Sequence, residues 1–235
     1  MSASRTETRP RAVVTGATGG IGRACVADLA RDHDVLALGR EPGRLAELAE
    51  LPHVTVRAAD LADFAGLPAV VEDLDRVDVL VHSAALAGRT TVAAASVDDW
   101  QAQLELNVVA PAELTRLLLP ALRAARGTVV FLNSGSGFTA RAGDAVYAAS
   151  KFALRALADS LRQEVEADGI VVSSVHPGPV DTQMQRDIQA SLGNEYVPER
   201  YIRPESVAAA VRAVVDAGED AVLTTVSVRP RTETR

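Results

Sequence analysis

The stretch Arg11-Ala-Val-Val-Thr15-Gly-Ala-Thr-Gly-Gly-Ile-Gly22 is an apolar run that ends in a glycine-rich turn and passes into a helical pattern. An apolar run without polar alternation suits a strand covered on both faces. The glycines let the backbone turn tightly and come close to a ligand. The helix behind them offers free N–H groups and the positive end of its dipole to an anion. Strand, turn and helix in this order open a βαβ unit that can take the pyrophosphate of a dinucleotide. A glycine-rich turn by itself is also an ordinary turn, so the rest of the chain has to support the reading.

Working outward, short apolar runs alternate with longer helical patterns. Strands are expected at Arg11–Thr15, Asp34–Leu38, Val54–Ala58, Val79–His82, Thr128–Leu132, Ile170–Val175 and Ala221–Val226. Helices are expected at Ile21–Arg31, Gly43–Glu50, Leu67–Asp73, Val97–Arg123, Val146–Asp168 and Pro204–Ala217. This alternation predicts an α/β doubly wound Rossmann fold, with a mostly parallel seven-stranded sheet and helices on both faces. No linker divides the 235 residues, so a single domain over 1–235 is expected. Residues 1–10 and 230–235 read as polar tails, and Arg-Thr-Glu-Thr-Arg occurs at both 5–9 and 231–235. Segment 183–203 has weak periodicity and reads as an irregular substrate loop beyond a strand end.

Composition narrows the function classes. The net charge is −7 and the pI about 5.2, with no dense basic stripe, which argues against a nucleic-acid partner. No apolar run is long enough to span a membrane, and the N-terminus lacks the apolar core of a signal peptide. The single cysteine, Cys25, allows no internal disulfide, and the scattered His33, His53, His82 and His176 lack metal-ligand spacing. A cytoplasmic protein without a bound metal is expected. Of the 24 basic residues, 23 are arginine and one is lysine, Lys151.

The second strand runs out into Gly39-Arg40. An acidic residue there would bond an adenosine ribose and select NAD. An arginine can instead pair with a 2′-phosphate, so NADP(H) is expected in preference to NAD(H). The alternative is a solvated surface arginine. Asp60-Leu61, after the third strand, could hold an adenine amino group or simply cap a helix.

Tyr147-Ala-Ala-Ser-Lys151 opens a long helix, and its two ends lie on one face. A free phenol with a pKa near 10 is a poor base at neutral pH. A neighbouring ammonium favours the phenolate and prepares it to exchange a proton with an alcohol or carbonyl oxygen. An amphipathic surface helix could show the same spacing.

With these motifs in view, the chain resembles the short-chain dehydrogenase/reductase family from the Thr15–Gly22 turn to the last strand. It carries the TGxxxGIG turn, an Asn-Ser-Tyr-Lys set and the proline–glycine motif in His176-Pro177-Gly178-Pro-Val180-Asp-Thr182. Ser134 precedes Tyr147 by thirteen residues, and Asn107 precedes Ser134 by twenty-seven.

The resemblance implies hydride transfer between a nicotinamide cofactor and a ketone, aldehyde or alcohol. It makes Tyr147 the general acid and base. Lys151 would lower the phenol's pKa and bind the nicotinamide ribose. Ser134 would hold the substrate oxygen, and Asn107 would place a water that links Lys151 to solvent. Gly16, Thr18, Gly19, Gly20, Ile21 and Gly22 would cradle the dinucleotide, with Pro177, Gly178, Val180 and Thr182 at the nicotinamide end. The family's usual Asn-Asn-Ala-Gly after the fourth strand is replaced by His82-Ser83-Ala84-Ala85, which keeps backbone contacts from Ser83 and Ala84 possible. His82 reads as a packed strand-end residue.

By position, Leu86, Phe138, Arg141, Gln183 and Met184 would line the substrate pocket. The resemblance also implies a homodimer or homotetramer with the Val97–Arg123 and Val146–Asp168 helices as its interface, although their apolar faces could equally be ordinary core. A redox-sensing NADP(H)-binding regulator without turnover is the alternative, although such proteins usually lack the tyrosine or the lysine.

Overall fold

Seven strands pair in parallel in the computed structural model, which describes residues 9–218 and 220–231. They are β1 (Arg11–Val14), β2 (Asp34–Gly39), β3 (Val54–Ala58), β4 (Val79–His82), β5 (Thr128–Leu132), β6 (Val171–Pro177) and β7 (Thr225–Val228). Their order across the sheet is β3-β2-β1-β4-β5-β6-β7, which gives a doubly wound Rossmann fold. The order reverses between β1 and β4, so ligands are expected at the carboxyl ends of these two strands.

Helices cover both faces: α1 (Gly20–Leu29), α2 (Pro42–Ala49), α3 (Leu67–Val71), α4 (Val97–Leu104), α5 (Ala110–Ala125), α6 (Ala145–Glu164), α7 (Gln183–Ser191) and α8 (Pro204–Val215). Two apolar clusters result. One joins Val13, Leu36, Leu80 and Phe131 of the strands to Leu114 and Leu118 of α5 and Leu154 of α6. The other joins Val14, Val81 and Val130 to Cys25 and Val26 of α1 and Val207 and Val211 of α8. Residues alternate between the clusters because side chains along a strand alternate faces. Arg212 of α8 ties the second layer to α1, donating from Nε to Asp28 at 2.7 Å and from Nη1 to Asp32 at 2.7 Å.

Four expectations need correction. The helix expected over Val97–Arg123 is interrupted by a π turn at Glu105–Val109, where the Ala110 N–H bonds the Glu105 carbonyl. Pro111 explains it: the ring has no N–H for the carbonyl of Asn107, four residues back, and would clash with it in a regular helix. The segment 183–203 is not irregular throughout. Thr182 accepts a hydrogen bond from the Gln185 N–H and starts α7, none of whose residues is fully buried.

The last strand begins at Thr225 rather than Ala221. Pairing starts where Thr225 meets Ser174, while Val222 and Leu223 stay exposed on the sheet edge. Finally, the tails are shorter than expected. Arg9 donates to the Ala30 carbonyl at 2.9 Å, and Pro230 packs against Gly178. Residues 1–8 and 232–235, which hold most of the repeated pentapeptide, lie outside the described residues.

Candidate active site

The site is built at the carboxyl ends of β1, β4, β5 and β6. Gly16 has φ +60°, a left-handed conformation open to glycine, and a Cβ there would lie 2.7 Å from the backbone of Ala84. The turn after β1 therefore rests directly on the Ser83-Ala84 peptide. Thr15 fastens the two: its hydroxyl accepts from the N–H groups of Ser83 at 3.0 Å and Ala84 at 3.2 Å. These backbone bonds hold the end of β4 in place with serine and alanine at positions 83 and 84.

Beyond the turn, a Cβ on Gly20 would lie 2.7 Å from the Thr182 methyl, and one on Gly39 would lie 2.8 Å from that of Thr18. These glycines keep the mouth of α1 open. A cavity of about 550 Å³ lies there, lined by Thr18, Gly19, Gly20 and Thr182, by the arginines Arg23, Arg44, Arg186 and Arg203, and by the carboxylates Glu47, Asp181 and Glu205. Glycine backbone, arginines and the amino end of α1 fit the diphosphate of a dinucleotide. Gln183, expected to line the substrate pocket, borders this cavity too.

Arg40 is exposed beyond β2, and among the described residues it makes no ion pair. The Asp60 carboxylate accepts from the Ala62 N–H at 3.0 Å in a local turn, and α3 begins only at Leu67, so Asp60 is not a helix cap. Leu61 is buried in the core. Ile21 and Gly22 lie in the first turn of α1. A Cβ on Gly22 would collide with the Gly16 carbonyl. Pro177 ends β6, and the Gly178 N–H bonds Val228 at 2.8 Å. Val180 pairs with Ile202, whose N–H bonds Pro179 at 2.9 Å.

Four further side chains lie around the start of α6: Tyr147 and Lys151 on it, Ser134 beyond β5 and Asn107 in the π turn. Lys151 is fully buried in α6, and its ammonium donates to the Leu132 carbonyl at 3.1 Å. It lies 5.7 Å from the centre of the Tyr147 ring, one helical turn back. The Ser134 hydroxyl accepts from the Ser136 N–H at 3.1 Å and stands near enough to the Tyr147 phenol to favour its ionised form. Asn107, in the π turn, is also buried. Its Oδ1 accepts from the Leu86 N–H at 2.8 Å, and its Nδ2 donates to the Leu86 carbonyl and the Ser150 hydroxyl, each at 2.9 Å. Ser150 in turn donates to the Tyr147 carbonyl at 2.8 Å.

Burial dominates the titration of this cluster. It pushes the Tyr147 phenol up to about 12, with the nearby Ser134 hydroxyl opposing the rise and the Asp144 carboxylate adding to it. It pulls the Lys151 ammonium down to about 8. The lowering expected from the lysine is not found: desolvation of the phenolate dominates, and what opposes it is the Ser134 hydroxyl. His82 is packed away from the chemistry, as read: its Nε2 lies 2.8 Å from the Thr115 hydroxyl, its ring stacks on Phe131, and burial lowers it to about 3.

Of the other expected pocket residues, Phe138 packs on His176, while Arg141 and Met184 are exposed. Sequence reading missed Thr15, Asn133, Asp144 and Ser150. Only Thr15, inside the quoted turn, carried a local signal.

Comparison with known proteins agrees with this architecture. Residues 10–193 match the family described as short chain dehydrogenase. A short-chain type dehydrogenase/reductase of Sinorhizobium fredii is 30% identical over 228 residues, covering 93% of this chain and 90% of that protein. A solved short-chain dehydrogenase/reductase of Corynebacterium glutamicum is 45% identical, with a TM-score of 0.73, covering 94% of this chain and all of that one. The closed form of a serine dehydrogenase complexed with NADP+ is 26% identical with a TM-score of 0.86, and the match covers 96% of each chain. Turn, sheet order and match agree: the chain belongs to the short-chain dehydrogenase/reductase family of oxidoreductases.

Proposed function

We propose that this protein is an NADP(H)-dependent oxidoreductase that interconverts a small ketone or aldehyde and the corresponding alcohol. One arrangement carries the reading: the Tyr147 phenol stands near the Ser134 hydroxyl and one helical turn from the buried ammonium of the chain's single lysine. When bound, the nicotinamide supplies the hydride.

The chain's own groups supply position and the proton. The Ser134 hydroxyl donates a hydrogen bond to the substrate oxygen and holds it beside the phenol. Burial keeps Tyr147 protonated, so in reduction the phenol gives its proton to the oxygen as negative charge develops there. The Lys151 ammonium, spending one N–H on Leu132, offers its others to the nicotinamide ribose and favours the phenolate that forms. Asn107 takes the role of placing a water between Lys151 and solvent.

Arg40 supports NADP(H) over NAD(H). It stands beyond β2 without an ion pair among the described residues, and a guanidinium matches a 2′-phosphate in two hydrogen bonds. The serine dehydrogenase relative, bound to NADP+, adds weight.

The test is fluorescence titration with NADPH and NADH, followed by NADPH consumption with a panel of ketones and aldehydes. Tighter NADPH binding with turnover of at least one carbonyl is expected. Tight binding without turnover across the panel, or preference for NADH, overturns the reading.

A further inference from the structure

We infer that Asn133 and His176 are positioning residues that clamp the Ser134 peptide from both ends and so aim its hydroxyl at the phenol. The inference rests on the proposed role of Ser134. That residue lies beyond the last paired residue of β5, in an extended conformation, just before a short 3₁₀ turn at Gly135–Gly137. Past the sheet ladder, the turn itself holds Ser134 in part: its Oγ accepts from the Ser136 N–H at 3.1 Å and its carbonyl from the Gly137 N–H at 3.0 Å.

Two side chains from outside the turn add to these bonds. The Ser134 N–H donates to Asn133 Oδ1 at 2.8 Å, and the same amide donates from Nδ2 to the Lys151 carbonyl at 3.2 Å. Asn133 therefore ties the backbone of Ser134 to the helix turn that bears Lys151. Space around the amide is closed: a Cβ on Gly137 would lie 2.6 Å from Asn133 Oδ1 and 3.0 Å from the Lys151 carbonyl. At the other end, His176 Nδ1 lies 2.9 Å from the Ser134 carbonyl. A carbonyl only accepts, so Nδ1 carries the proton and the ring is held in one tautomer.

The remaining ring nitrogen marks this as more than packing. His176 is fully buried, and its Nε2 has no hydrogen-bond partner among the described residues. A leucine or phenylalanine would fill the same space against Phe138 without leaving a buried acceptor unmet. Burial and the neighbouring cations Arg155, Lys151 and Arg229 keep the ring neutral, so the unmet lone pair stays with it. What the imidazole adds over an apolar side chain is the Nδ1–H held against Ser134.

Two measurements test the clamp. ¹⁵N NMR of the histidine-labelled protein should show His176 protonated on Nδ1 and bare on Nε2, and the opposite tautomer overturns the proposal without reference to any substrate. In NADPH-dependent carbonyl reduction, His176→Leu and Asn133→Ala should each lower kcat on the order of 10- to 100-fold, the loss expected when a reacting group shifts by about 1 Å. The Kd for NADPH should stay within about twofold, since the clamp bears on the substrate oxygen. His176→Asn, which returns an N–H near the Nδ1 position, should recover most of the loss. Equal activity of His176→Leu and His176→Asn overturns the clamp. A wild-type protein that reduces no carbonyl defeats the functional reading instead, and the tautomer still decides the clamp.

Discussion

Replacing Asn107 with alanine removes three hydrogen bonds at once, two to the backbone of Leu86 and one to Ser150. Each contributes about 1 kcal/mol net, so about 3 kcal/mol is at stake. Two features reduce that figure. Leu86 is half-buried, so its freed N–H and carbonyl can reach water. Alanine is also the better helix former by about half a kcal/mol. The expected destabilisation is therefore about 2–3 kcal/mol. At about 2–4 °C per kcal/mol for a chain of this size, Tm should fall by about 4–12 °C. Differential scanning fluorimetry reads this directly. The π turn should also relax, loosening the Ser150–Tyr147 contact behind it, so activity at 25 °C should fall even where the protein is fully folded. A Tm within about 1 °C of wild type would refute the claim that this side chain holds the turn against Leu86 and α6.

Other consequences follow from single groups. Arg40→Ala should raise the Kd for NADPH about 10- to 100-fold, the size of a charge-assisted hydrogen-bond loss, and leave NADH binding unchanged. Fluorescence titration checks it, and an equal loss for both cofactors contradicts the 2′-phosphate assignment. Lys151 titrates near 8 in the folded chain against 10.5 unfolded, so below pH 8 the fold bears the full cost of a buried charge. Stability should rise between pH 8 and 10.5, where the unfolded chain still holds the proton. Urea unfolding at pH 8 and pH 10 should show wild type gaining stability relative to Lys151→Met, since buried Cys25 and Tyr147, which oppose the gain as pH rises, do so in both proteins. Arg212→Ala should cost about 2 kcal/mol by breaking a half-buried pair of charge-assisted bonds between α8 and α1, measured as a lower urea midpoint.

The centre of the sheet was legible because β2, β4 and β5 are short runs rich in valine and leucine that suit a doubly covered position, while β3 and β7 at its edges are mixed and partly exposed. The π turn left a trace that is easy to pass over: Pro111 stands four residues after Asn107, where a regular helix cannot keep its bond. Helix α7 escaped the pattern because Met184 and Ile188 alone cannot form an apolar stripe and its start depends on the Thr182 hydroxyl. The start of β7 depends on which residue meets Ser174 across the sheet edge, a question its own composition does not answer. At the site, Tyr147 and Lys151 were visible from local spacing. Asn133 and His176 were not, since their bonds reach Lys151 and Ser134 across 18 and 42 residues of chain. The upward shift of the phenol was equally hidden, because burial is a property of the fold and not of the Tyr-x-x-x-Lys spacing.

The proton-transfer role of Tyr147 is the centre of the account, and Tyr147→Phe isolates it by removing one hydroxyl from an otherwise filled site. With a carbonyl that the wild-type protein reduces, kcat should fall by about 10²–10⁴-fold, the range for loss of a general acid, while NADPH binds as before. A Tyr147→Phe protein that binds NADPH and turns over at the wild-type rate would contradict the mechanism.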